Sequence, residues 1–479
     1  MFFSGLRGRG QHLSYGITAA CGAGFLLFGY DQGVFGSLLS NKAFLETFHY
    51  PNTTIQGQIV ATYDIGCIIG TLLSILVGDK IGRRRCILIG CTILIVGGIL
   101  QATSYSLAPM IVGRIVAGVG NGMNTIAIPI WQSETAKPEH RGKLIVLQLV
   151  LNIFGIVITN WMNYGFTYIS DNPISRRFPL AFQCFFALVT MPMVLVMPES
   201  PRWLVMRDRA EEAQAILARL RAKPRTDQTV VDEIQYLVAT VHHEADTMQK
   251  VSVKEVFSNG RQQNFRRILL EASMPFFQQF GGTNVIAYYL PIILVRSFGM
   301  SGRLALILSA GNSMSLMFWG AMAAFLIDRV GRCELMVMGS FASGICFVLV
   351  AVGLHFSGSH NENRGMSIFA VVFIFVYYVF YGMSLLSIPY MYPAEINSQR
   401  MRNIGTSIAT AVNWTSVYIV VTANLSLEQV DRLFEIKYDG GKKISWAEAS
   451  KTAREETQGV AERKIQEAEH AEVLHAEKM

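Results

Sequence analysis

Apolar segments of similar length, separated by short polar ones, run through most of the 479-residue chain. A helix needs about 20 apolar residues to cross a bilayer, and eleven segments come near that length. They lie at about 16–39, 57–77, 86–102, 108–131, 144–166, 179–197, 272–295, 304–327, 335–356, 367–392 and 404–421. The pattern predicts an all-α membrane protein.

A polar stretch at 198–263 separates the sixth apolar segment from the seventh and is too hydrophilic to cross a membrane. We therefore predict a six-helix bundle over 1–197, a cytoplasmic helical loop over 198–263, and a second bundle with five recognisable spans over 264–421. The remaining residues, 422–479, contain no apolar run of spanning length and are predicted to form a hydrophilic tail.

Basic residues cluster in alternate loops, at 80–85, 137–143, 329–332 and 400–402, with more inside the long polar stretch. Because Lys and Arg are enriched in cytoplasmic loops, these loops and the N-terminus are predicted to face the cytoplasm. The same placement explains the net charge of +7, so we expect a lipid bilayer around the chain and no nucleic-acid partner. Only 16% of residues are charged, against roughly 25% in soluble chains.

A short loop motif occurs twice. Residues 78–85 read Gly-Asp-Lys-Ile-Gly-Arg-Arg-Arg after the second span, and residues 328–332 read Asp-Arg-Val-Gly-Arg after the second span of the later group. The same turn at the same place in each group predicts two related halves, a construction typical of transporters.

The seventh span contains the most unusual polar residues of the chain. Gln278, Gln279, Thr283 and Asn284 surround a glycine pair that should loosen the helix. Polar groups and loosened backbone at membrane depth are tolerated where they face protein or a wet cavity. Uncharged amides both donate and accept hydrogen bonds, which suits a neutral polyhydroxylated ligand. Polar contacts between packed helices are the alternative interpretation.

No nucleophile–base set, metal-ligand cluster or phosphate loop is present in the sequence. We therefore expect neither an enzyme nor a bound cofactor or metal.

Several motifs together cover about residues 15–421. They are Gly29-Tyr30-Asp31-Gln32-Gly33, the two loop motifs, Arg114-x-x-x-Gly118-x-Gly120-x-Gly122, Pro129-Ile130-Trp131-Gln132-Ser133-Glu134, Arg141-Gly142, Pro198-Glu199-Ser200-Pro201-Arg202-Trp203-Leu204, Gln278-Gln279, Tyr392-Pro393-Ala394-Glu395-Ile396 and Asn413-Trp414. With this set the chain resembles the fungal sugar porters (sugar/H⁺ symporters) of the major facilitator superfamily, whose fold is two six-helix bundles.

The resemblance implies three groups of functional residues. Sugar hydroxyls would be bound by Gln148, Gln278, Gln279, Asn284, Asn312 and Asn413, with Trp414 offering a ring face. Tyr288 and Tyr289 would close the extracellular side. A cytoplasmic charge lattice would consist of Arg83, Glu134, Arg141, Arg332, Glu395 and Arg400.

Asp31 is a carboxylate deep in the first span, where it needs a partner, and Arg114 at the start of the fourth span is the candidate. The resemblance implies that this pair couples protons to sugar movement. A permanent ion pair that only orients two helices is the alternative.

The resembled architecture has twelve spans, whereas the sequence shows eleven, so the second bundle is expected to be incomplete. We expect a monomeric plasma-membrane carrier of a hexose, or of a related disaccharide or polyol, driven by protons. A sugar-sensing receptor on the same scaffold and a non-functional truncated carrier remain alternatives.

Overall fold

The computed structural model describes residues 10–39, 41–51, 53–137, 141–169, 172–248, 263–296, 298, 300–357, 364–396 and 402–422. Its helices are α1 (Gln11–Leu38), α2 (Lys42–Thr47), α3 (Thr53–Ile81), α4 (Arg83–Ala102), α5 (Leu107–Thr135), α6 (Arg141–Phe166), α7 (Ile174–Val196), α8 (Pro201–Val205), α9 (Ala210–Arg221), α10 (Gln228–Met248), α11 (Asn264–Phe280), α12 (Thr283–Arg296), α13 (Gly302–Val330), α14 (Arg332–Ser357), α15 (Arg364–Met383), α16 (Ile388–Ile396) and α17 (Arg402–Thr422). No strand occurs among these residues, and the predicted all-α class is confirmed.

Nine helical segments within the described residues are long and apolar enough to cross a membrane. Two shorter apolar stretches, Ile286–Val295 and Ile408–Val421, lie in α12 and α17. Each of the eleven predicted segments is therefore largely helical, but two are broken. The seventh is divided between α11 and α12, and the tenth between α15 and α16. The chain is a multi-pass membrane protein. The predicted tail lies outside the described residues.

In the first half of the structure (α1–α7), α5 packs on α3 and α4, α6 packs on α1, and α7 packs on α1 and α4. Small residues permit close approach of these helices. A Cβ on Gly118 of α5 would press on the backbone of Tyr63 and Gly66 in α3. Helices in lipid associate through such close packing, because burial of apolar surface brings little gain there.

In the second half (α11–α17), α14 packs on α15, α15 on α13, and α17 on α11. Among the described residues, the halves meet mainly where α6 packs on α13, α3 on α17, and α1 on α12. The polar residues discussed below lie on or beside these helices.

The two loop motifs share one backbone conformation, as the predicted repeat requires. Gly82, between α3 and α4, has φ +94° and ψ 163°. Gly331, between α13 and α14, has φ +97° and ψ 153°. Residues that have a Cβ atom rarely adopt these backbone angles, so glycine is needed at both turns.

The polar stretch after α7 forms α8, α9 and α10, which share a small apolar core of their own. Pro201 stands at the first helical position of α8, and the Ser200 hydroxyl accepts a hydrogen bond from the Trp203 N–H. Both features are typical of a helix N-terminus.

Candidate functional site

The seventh span is broken where α11 ends at Phe280 and α12 begins at Thr283. Gly282 in the gap has φ +81°, and a Cβ there would collide with the ring of Phe347. The glycine pair predicted this break. Because carbonyls at the end of a helix lose their intrahelical partners, they need donors from elsewhere.

Two tyrosines of α15 donate to carbonyls at the break. The Tyr377 hydroxyl donates to the Gly281 carbonyl at 2.9 Å, and the Tyr378 hydroxyl donates to the Thr283 carbonyl at 3.5 Å. Sequence reasoning missed both. Their only signal is a run of tyrosines in an apolar span, and such a run is also typical of helix packing.

Gln278 is 3% exposed and is held by α15 and the turn that follows it. Its amide nitrogen donates to the Leu385 carbonyl at 2.7 Å and to the Tyr381 hydroxyl at 3.2 Å. Its amide oxygen has no hydrogen-bond partner among the described residues.

Three further amides form a chain across the break. Asn284 of α12 donates to the side-chain oxygen of Gln279 at 2.6 Å, and Gln279 donates to the side-chain oxygen of Asn413 in α17 at 2.6 Å. All three side chains are buried. The structure thus brings together three residues that the resemblance implied for sugar binding.

Two other predicted amides are buried without partners. Gln148 of α6 and Asn312 of α13 are 3% and 1% exposed, yet neither amide atom of either residue has a hydrogen-bond partner among the described residues. Buried polar groups are normally paired. These two amides, one from each half, are therefore available to a ligand.

Trp414 is 3% exposed, and its ring packs edge-on against Phe28 with centroids 5.7 Å apart. Its indole N–H also has no hydrogen-bond partner within the described part of the chain. The Trp414 ring thus joins α17 to α1, beside the amide of Asn413.

A cavity of about 40 Å³ opens next to the amide chain. It is lined by Pro275, Gln278, Pro389, Tyr390, Thr406, Ala409, Thr410 and Asn413. One water needs roughly 10–15 Å³ of such space, so the cavity is large enough for a few waters and has to widen for a sugar.

Asp31 and Arg114 form a fully buried ion pair, with 3.3 Å between Oδ1 and Nη1. The guanidinium also donates to the carbonyls of Ile59 and Val60 in α3, each at 3.2 Å. The pairing expected from the sequence is present. An ion pair at this depth tends to be kept where it has a function.

Aromatic rings enclose this pair. The Arg114 guanidinium lies 4.3 Å from the ring centroids of both Phe35 and Tyr63. One residue beyond Tyr63, the carboxylate of Asp64 is only 2% exposed. Sequence reasoning missed Asp64, although an acidic residue inside an apolar span is itself a signal.

The predicted extracellular gate lies in α12. Tyr288 is 4% exposed and packs in a cluster with Val34 of α1 and with Val417 and Val421 of α17. Tyr289 is half-buried and borders the same cluster. The gating role that the resemblance implies for both tyrosines stays a prediction.

Arg83, a member of the predicted cytoplasmic charge lattice, lies between two carboxylates. It donates to both oxygens of Glu134 at 3.1 and 3.2 Å and to Asp79 at 2.7 Å. Bidentate pairing of this kind is strong and directional. It fastens the loop between α3 and α4 to the end of α5.

The segment after α7 fastens the same loop. Glu199 accepts hydrogen bonds from the backbone N–H of Arg84, and the Trp203 indole donates to the Asp79 carbonyl at 2.9 Å. Burial raises the pKa of Glu199 above its ordinary value, while the N–H groups of Ser200 and Arg84 oppose that rise.

The rest of the predicted charge lattice is only partly described. Arg141 and Arg332 stand at the starts of α6 and α14. The Glu395 side chain and all of Arg400 lie outside the described residues.

These groups indicate a particular chemistry. The residues around the break in the seventh span are uncharged donors and acceptors, which match hydroxyl groups. The described residues contain no group of His, Cys, Asp or Glu arranged to hold a metal. The buried Asp31–Arg114 pair joins α1 to α5, and the packing of Tyr288 against α1 and α17 joins helices of both halves, whose relative movement is the basis of transport in carriers.

Comparison with known proteins identifies the family. Residues 16–429 match the family described as "Sugar (and other) transporter". The chain is 38% identical over 431 residues to the MFS-type transporter oryC of Aspergillus oryzae, covering 89% of this chain and 80% of that protein. It is 34% identical over 427 residues to the sugar transporter STL1 of Saccharomyces cerevisiae, covering 86% and 73%.

The fold also matches a solved structure. The proton:xylose symporter XylE, of the major facilitator superfamily and from E. coli, superposes with a TM-score of 0.72. Sequence identity is 24%, and the match covers 92% of this chain and 94% of that one. The chain therefore belongs to the "Sugar (and other) transporter" family of membrane carriers and has the major facilitator fold.

Proposed function

We propose that this protein carries a sugar across the plasma membrane by alternating access and couples that movement to protons. The observation that carries the proposal is the set of buried amides in both halves, above all Gln148 and Asn312, whose amide atoms lack partners among the described residues. A sugar placed between the halves would satisfy them. The similarity to STL1, a sugar transporter, and to XylE, a proton:xylose symporter, supports the same substrate class.

Sugar binding would be shared between the halves. Gln148 would contact the sugar from the first half, and Gln278, Gln279, Asn284, Asn312 and Asn413 from the second, with the Trp414 ring beside them. Each neutral hydrogen bond contributes about 0.5–1.5 kcal/mol, so several are needed for useful affinity.

Alternating access would follow from the two gates. Tyr288 and Tyr289 close the outer side, while the charge lattice around Arg83 and Glu134 would hold the cytoplasmic side in the opposite state. The bundles over 1–197 and 264–421 would rock against each other around the sugar, with 198–263 as the cytoplasmic connection.

Proton coupling would use Asp31 and Arg114. Asp31 and Arg114 form an ion pair at 3.3 Å that connects α1 to α5. Neutralising Asp31 with a proton would weaken this pair and loosen the contact between the two helices. A change in the position of α1 reaches the sugar site, because α1 also packs on α6 and α12.

Uptake of labelled glucose, xylose, maltose and sorbitol tests this proposal in a yeast that lacks its own sugar carriers. We expect saturable uptake of at least one sugar, faster at acidic than at neutral external pH. Surface abundance is measured in parallel. Protein at the surface that binds a sugar without moving it would contradict transport and favour a receptor.

A further inference from the structure

Asp64 is a buried carboxylate that the proposed mechanism does not use. It lies in α3, is 2% exposed, and its Oδ2 atom has no hydrogen-bond partner among the described residues. The flanking sequence, Ile-Val-Ala-Thr-Tyr before it and Ile-Gly-Cys-Ile-Ile after it, is largely apolar. A carboxylate is seldom kept in such a place without a function.

Charged and titratable groups interact with Asp64 from two neighbouring helices, α5 and α12, and from α3 itself. The guanidinium of Arg114 in α5 lies 4.3 Å from the ring centroid of Tyr63, the residue before Asp64, and attracts the carboxylate. Tyr288 of α12 also interacts electrostatically with Asp64. On α3 itself, Cys67 lies within range of both Asp64 and Asp31 of α1. The helix α17, which also packs on α3, has no Asp, Glu or Lys, and its one Arg is at its first position.

Arg114 directs its hydrogen bonds elsewhere. They go to Asp31 and to the carbonyls of Ile59 and Val60, all within 3.3 Å. Arg114 carries the only guanidinium of this cluster within the described residues, and Asp31 is the carboxylate that is hydrogen-bonded to it. Asp64 interacts with this guanidinium over a longer distance.

The cluster of Asp31, Arg114 and Asp64 does not balance its charge when both carboxyls are ionised. Two negative groups and one positive group leave one net negative charge in a fully buried volume. Buried groups in that position take up a proton, because the uncompensated ion is strongly disfavoured. One proton makes the cluster neutral.

We propose that Asp64 holds this proton whenever the outer gate is closed, and that closing Tyr288 over the cluster requires it. The inference deepens the proposed proton coupling and rests on it. The proton comes from extracellular water while the gate is open and adds to a carboxylate oxygen of Asp64. It returns to water after the helices rearrange. A gate that closes only over a neutral Asp64 makes proton uptake a condition of each transport cycle.

Infrared spectroscopy of the purified, detergent-solubilised protein locates the proton without any sugar. A protonated carboxyl has a carbonyl band that shifts in D₂O. We expect that band at neutral pH in the wild type and in the control Asp232→Asn, which alters an exposed carboxylate on α10. The band should vanish in Asp64→Asn, because Asp31 and Arg114 then balance each other.

Aspartate-to-glutamate exchanges assign the band to one residue and also serve if Asp64→Asn fails to fold. We expect the band to move in frequency in Asp64→Glu and to stay in place in Asp31→Glu. A band that moves only in Asp31→Glu, a band unchanged in Asp64→Asn, or no band in the wild type would each overturn the proposal.

Reconstituted vesicles then test coupling with the sugar that gives the largest uptake in the yeast panel. Asp64→Asn should keep sugar counterflow within about twofold of wild type, yet lose at least tenfold in sugar-driven proton movement. Proton movement equal to wild type would defeat the proposal. A wild type that moves no sugar would defeat the proposed function instead, and the infrared result would still locate the proton.

Discussion

Two buried polar regions, one in each half of the molecule, differ in chemistry. In the first half, the Asp31–Arg114 ion pair lies near a second buried carboxylate, that of Asp64. In the second half, the residues around the break in the seventh span are amides and hydroxyls. Charged groups respond to protons and neutral groups match sugar hydroxyls. Under the proposed function, the first region would sense the proton and the second would supply most of the sugar contacts.

The third span of each half also differs in exposure, and the span in the second half is the more exposed. Among the described residues, α7 covers α1 and α4 in the first half, and 44% of the spanning part of α4 is buried. Its counterpart α14 is 28% buried, with Val337 and Phe341 among its exposed side chains.

Arg114→Gln should have the largest effect, because it leaves two buried carboxylates without a cation. Removing one partner from a buried pair destabilises by about 3–5 kcal/mol. We expect a fall of that order in the free energy of unfolding, seen as a lower melting temperature and lower surface abundance. The double change Asp31→Asn with Arg114→Gln should recover part of the loss. No recovery would show that the pair acts through packing alone.

Asp31→Asn should separate coupling from transport. With the charge removed, sugar should still exchange down its gradient, while accumulation against the gradient falls to near unity and the acceleration at acidic pH disappears. Concentrative uptake and counterflow, measured side by side, check this. Accumulation at the wild-type level would mean that the pair only orients α1 and α5.

Gln279→Ala should act on the second half alone. It removes the centre of the chain from Asn284 to Asn413 and with it one or two hydrogen bonds to sugar. Each hydrogen bond contributes about 0.5–1.5 kcal/mol, and about 1.4 kcal/mol corresponds to a tenfold change in affinity. The apparent affinity for sugar should therefore fall about tenfold. The control Gln235→Ala, on the exposed surface of α10, should leave the affinity unchanged. An affinity unaltered in Gln279→Ala would remove this residue from the site.

Tyr381→Phe should have the smallest effect. It deletes a single hydroxyl, 3.2 Å from the Gln278 amide, and leaves the ring in place. Gln278 keeps its bond to the Leu385 carbonyl, so we expect a two- to fivefold loss of sugar affinity with unchanged pH dependence. A changed pH dependence would break the proposed division between the halves, and a competition binding assay at two pH values reveals it.

Much of the fold followed from local features of the chain. The apolar segments predicted every described span, and the glycine pair predicted the break in the seventh. Asp31 was a signal by itself, since a carboxylate is rare at that depth. Asp64 carried the same signal and was missed, because no motif drew attention to it. The tyrosines of α15 carried no such signal, since aromatic residues in a span serve packing equally well.

The sequence alone determined which segments are long and apolar enough to cross the membrane, and the presence of amides and carboxylates inside them. Those properties depend on the transfer of each residue from water to lipid, which sums along the chain. Only the tertiary structure decided that Arg114 turns to Asp31 and not to Asp64, and that Gln279 has hydrogen-bond partners while Gln148 has none among the described residues. Such choices depend on the rotation and crossing of helices far apart in sequence, and packing alone sets both.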